Sequence, residues 1–98
     1  MDKTEAAALL AFHLADYRRR SYAELRTLVG AAPAPIELVA ASGARYQIEV
    51  QVFWDDAPGG ALRVLGGIHD GGWRAFAPLC DDFLVSPDGR FVGASDSA

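Results

Sequence analysis

A single cysteine, Cys80, stands in a chain of 98 residues, which excludes an internal disulfide and any metal centre built from several thiolates. No run of about 18 apolar residues occurs, so the sequence offers no membrane-spanning helix. The start, Met1-Asp-Lys-Thr-Glu5, mixes both charge signs and lacks the parts of a secretory signal. These absences point to the cytoplasm. Missing too are a phosphate loop of the Walker type, G-x-G-x-x-G, H-E-x-x-H and G-x-S-x-G. With no nucleophile set beside a base and no ligand cluster, neither a cofactor nor a metal is expected. The reading therefore leans away from an enzyme and toward a binding or accessory protein.

What is present belongs to a folded domain. Apolar residues make up 51% and charged residues 22%, far from the low hydrophobicity of a disordered chain. The length suits one domain, taken as residues 1–93, with 94–98 as a disordered tail. Charge is uneven: five basic side chains face four acidic ones through residue 35, and four face nine beyond it. An acidic second part argues against a polyanion such as nucleic acid, whose affinity comes from phosphate neutralisation. A protein is the expected partner, a second copy of this chain included.

The spacing predicts two helices and then strands. Asp2 and Glu5 have capping-box spacing ahead of a helix over 4–20. Ala7, Leu10, Leu14 and Tyr17 form its apolar stripe, and Phe12, near Ala8 and Ala15, falls on the opposite side. That second apolar face predicts packing on two sides or a subunit contact, with Phe12 and His13 as interface residues. Ser21-Tyr-Ala-Glu24 is a capping box opening a short second helix with Tyr22, Leu25 and Val29 on one side and Gly30 closing it. The segment Ala31-Ala-Pro-Ala-Pro35 is an extended connector.

From Ile36 the period changes to two. Strands are expected over 36–41, 45–54, 61–68, 73–78, 83–86 and 90–93. In 45–54, Tyr46, Ile48, Val50, Val52 and Trp54 share one face and Arg45, Gln47, Glu49 and Gln51 the other. Such a strand belongs to an antiparallel sheet covered on one side, with the helices as cover. Gly66-Gly67 is expected to mark a bulge or bend. A turn at Gly71-Gly72 would set Phe76 opposite Gly67. The fold class is α+β, two N-terminal helices on one face of a curved antiparallel sheet of about five or six strands. In outline this resembles the cystatin-like arrangement, which hosts many functions and transfers none of them.

The strongest candidate for a ligand or partner site is His69-Asp70-Gly-Gly-Trp73-Arg74. A histidine beside a carboxylate can be tuned for proton transfer, and Trp with Arg is typical of binding hot spots. The same residues also read as a tight hairpin whose Trp packs in the core. Two acidic doublets, Asp55-Asp56 and Asp81-Asp82, read as solvated turn residues, since their spacing is wrong for a calcium loop. Arg18, Arg19 and Arg20 suit a helix C-terminus without any ligand. Two functions stay open: an interaction protein that dimerises, or a small-molecule binder or enzyme at the sheet rim near His69–Arg74.

Overall fold

A computed structural model of the chain describes residues 1–71 and 78–92. The expected strand over 73–78, the positions of Trp73, Arg74 and Phe76, and the tail 94–98 lie outside the described residues, Pro78 apart. The described part is an α+β fold: α1 (Lys3–Arg18) and α2 (Tyr22–Arg26) precede β1 (Ile36–Val39), β2 (Arg45–Trp54), β3 (Leu62–His69), β4 (Leu79–Val85) and β5 (Phe91–Val92). The strands form one five-stranded sheet in chain order, every neighbouring pair antiparallel. No described helix is long and apolar enough to cross a membrane.

The sheet follows its sequence period. In β2, Tyr46, Ile48 and Val52 are buried, Val50 and Trp54 half-buried, and the alternate residues mostly face solvent. Ile48 pairs with Ile36 and Ile68, and Val52 with Val64, so the apolar residues of three strands stack on one face. There α1 contributes Ala6, Leu10 and Leu14 and α2 contributes Leu25, all at most 1% exposed. Ala6, not the expected Ala7, is the buried alanine. Helix α1 lies across β3 and β4. Tyr22 of α2 donates its hydroxyl hydrogen to the Gly60 carbonyl at 2.7 Å, tying the short helix to the β2–β3 loop.

Caps and turns are local. Ser21 and Glu24 form the expected capping box. At α1 only half of one forms: Asp2 accepts from the Glu5 amide at 3.0 Å. The Glu5 carboxylate instead reaches the sheet, accepting from Ser42 Oγ at 2.8 Å and from Tyr46 Oη at 2.9 Å. A side chain that can satisfy a buried hydroxyl across the core contributes more there than at its own helix end. The β1–β2 and β4–β5 hairpins use one loop design. In each a turn closes on a glycine with positive φ, Gly43 at 89° and Gly89 at 85°, a backbone conformation that other residues rarely adopt.

Two expectations are corrected. Pairing runs without interruption through Gly66 and Gly67, so they make no bulge. The neighbours of Gly67 are Glu49 and Cys80. Asp81 and Asp82 lie within β4, not at a turn. Asp82 is held there by Arg63, which also binds Asp55 at 2.8 Å, a cross-strand ion pair on the face away from the helices.

Candidate functional site

Adjacent residues of a strand point to opposite faces, and β3 uses this at its two glycines. A Cβ on Gly66 would stand 2.9 Å from Leu10 Cδ1 and 3.1 Å from Leu14 Cδ2. Gly66 is therefore bare so that α1 can lie against the strand. Gly67 faces the other way, and a Cβ there would meet nothing nearer than Pro78 at 3.6 Å and Cys80 Sγ at 3.8 Å. Its φ is not positive, so neither sterics nor backbone conformation requires glycine. In a strand interior glycine is a weakening choice, by roughly 0.5–1 kcal/mol relative to alanine.

Above Gly67 lies a hollow of about 190 Å³ on the open face of the sheet, lined among others by Glu49, Leu65, His69, Pro78 and Cys80. Register brings these together: Glu49 of β2 and Cys80 of β4 flank Gly67, and His69 follows two residues along β3 on the same face. Asp82 of β4 flanks Leu65, the next position along, where it is paired with Arg63.

Each polar lining group has a defined state. His69 Nδ1 accepts from the Gly71 amide at 3.0 Å, so that nitrogen carries no hydrogen and the ring proton sits on Nε2. The Cys80 thiol donates to the Pro78 carbonyl with a sulfur–oxygen distance of 3.6 Å. Cys80 forms one wall of the hollow. The hollow thus offers an imidazole N–H donor, a carboxylate acceptor, the Gln51 amide, and apolar walls over a bare backbone floor. It is equipped to bind and orient.

The other sequence candidates are dispersed. Asp70 belongs to a different hollow, with Arg45 and Gln47, and its carboxylate lies 3.7 Å from the Met1 amine. Trp73 and Arg74 fall outside the described residues. Phe12 is 82% exposed on the solvent side of α1. His13 turns toward the core instead: its ring lies 5.7 Å from that of Tyr17, and its Nε2 is buried with no partner among the described residues. Of the arginine cluster, Arg18 stacks 4.5 Å over the Phe83 ring, while Arg19 and Arg20 bind Asp16, each at 3.1 Å. The hydrogen bond from Arg20, with Arg19 adding to it, holds the Asp16 carboxyl below its usual range.

Glu49 and Cys80 were not among the sequence candidates. Strand periodicity puts Glu49 on the polar face, but only register sets it beside Gly67, and only register brings Cys80 to the other side. Compared with known proteins, the chain matches no family model, no curated protein and no solved structure, so its residues alone carry the functional argument.

Proposed function

We propose that this protein is a small-ligand-binding domain whose ligand lies on the open face of the sheet, over Gly67. The observation that carries the reading is Gly67 itself: a mid-strand glycine with room for a side chain, ringed by polar groups of differing chemistry. Ligand sites join a concave, partly apolar surface to a few placed polar groups, and this hollow has that composition at a volume below the usual range, suited to a small ligand. Binding, not catalysis, is the role. The thiol donates to Pro78 and the imidazole accepts from Gly71, and no hydrogen bond joins thiol to imidazole among the described residues. An exposed, unpaired thiol also suits a reducing compartment, and we place the protein in the cytoplasm.

The test is amide chemical-shift mapping of the full chain against a panel of small planar polar compounds. Shifts clustered at Glu49, Gly67, His69 and Cys80, lost in Gly67→Val, are expected. Shifts scattered over both faces, or unchanged in the variant, would count against the site.

A second reading is favoured by one observation. Phe12 stands exposed with Ala8, Ala11 and Ala15 near it on the outer side of α1. A ring on a shallow alanine surface suits helix pairing with a second copy of the chain, and a homodimer through α1 is compatible with ligand binding on the opposite face of the sheet.

A further inference from the structure

Building on the hollow over Gly67, we infer that its ligand is a neutral, planar cyclic amide whose adjacent N–H and C=O are read by Glu49 and His69. The argument is one of elimination among chemistries. With Nδ1 committed to Gly71, His69 presents Nε2–H, a donor without a partner among the described residues. Glu49 presents a carboxylate that makes no ion pair or hydrogen bond among those residues and can only accept when ionised. An anion would satisfy His69 but meet Glu49. A cation would satisfy Glu49 but meet the His69 N–H. A neutral molecule carrying a donor and an acceptor side by side satisfies both.

Shape narrows the class further. Glu49 lies opposite Gly67, and His69 is its diagonal neighbour on the same face, about 7–8 Å away between Cα atoms and within reach of long side chains. The floor between them has no Cβ, so a flat ring can lie against the Gly67 peptide. Leu65 and Pro78 contact its apolar edges, and Gln51 can take a second polar substituent. A single charge-assisted pair in such a setting discriminates strongly, because a ligand lacking the N–H leaves the carboxylate desolvated and unpaired.

The experiment titrates the full chain with uracil and with 1,3-dimethyluracil, which keeps the ring and both carbonyls but has no N–H. Amide chemical shifts are followed in the wild type, Glu49→Leu and Gly67→Val. The expected result is a uracil affinity at least tenfold above that of the dimethyl compound. Glu49→Leu should bring uracil down to the dimethyl level, and Gly67→Val should abolish both. Equal affinities that are both lost in Gly67→Val would overturn the amide assignment and leave the hollow as a site for planar molecules. Absence of any shift at Glu49, Gly67, His69 or Cys80 with uracil and with 2-pyridone would overturn the assignment. If the wider panel of planar compounds also left those residues unmoved, the hollow reading would fall with it.

Discussion

Leu10 rests on Gly66: the position a Cβ would take on that glycine is 2.9 Å from Leu10 Cδ1, so helix and strand meet through bare backbone. One residue later the strand turns its other face to solvent, and Gly67 has no such neighbour.

Alanine substitution should therefore act oppositely at the two glycines. Gly66→Ala forces a methyl group into Leu10 and Leu14 and is expected to destabilise by about 1–3 kcal/mol, as overpacking does. Gly67→Ala meets only ordinary contacts and restricts the unfolded chain, so a gain of about 0.4–1 kcal/mol is expected. Urea denaturation of both variants measures this. A loss at Gly67 as large as that at Gly66 would mean that both glycines serve packing alone.

Tyr46 is 2% exposed and donates to Glu5. Burial, with the Glu5 carboxylate adding to it, pushes its pKa up to about 12. The folded state thus holds the phenol proton more tightly than the unfolded chain, whose tyrosine titrates near 10. The stability this provides is fully present below about pH 10 and is lost as the pH rises toward 12. Urea midpoints at pH 9, 11 and 12 should fall more steeply for the wild type than for Tyr46→Phe. Parallel curves would contradict the linkage.

His13 carries a buried nitrogen with no partner among the described residues. An apolar side chain of similar volume removes that desolvation penalty, so His13→Leu is expected to raise stability by about 1 kcal/mol. Thermal unfolding followed by circular dichroism tests it, and a destabilised variant would show that the nitrogen is satisfied in solution.

The helix-pairing reading makes a separate prediction. Phe12→Asp should leave the fold intact, because the side chain is 82% exposed. It should also convert any dimer to monomer in sedimentation equilibrium. A wild type that is monomeric at millimolar concentration would remove this reading and leave the ligand site untouched.

Much of the architecture was legible in the residues because each element carries a local signal. The Ser21–Glu24 box starts α2 where its spacing says. The alternation from Arg45 to Trp54 fixes β2 to the residue. What stayed hidden was non-local. A capping-box spacing at Asp2–Glu5 cannot reveal that Glu5 has a buried tyrosine hydroxyl within reach, 41 positions away in the chain. Glycine pairs read as bends because local rules link glycine to irregular backbone. Only α1 packing on one face and an unfilled floor on the other explain why a regular strand carries two. Of the site, His69 was found through its own chemistry. Glu49 and Cys80 became partners only once the register was known.

The order of strands in the sheet has a further consequence, for how the face around Gly67 is built. Every strand pairs with its neighbours in sequence, so most of the sheet closes through short loops at a small entropic cost. Each strand added in turn covers the open edge of the one before it. Docking α1 onto β3 and β4 joins distant parts of the chain, and it happens on the face away from the hollow. The floor around Gly67 is set by the register of β2, β3 and β4, and α1 covers only the other face.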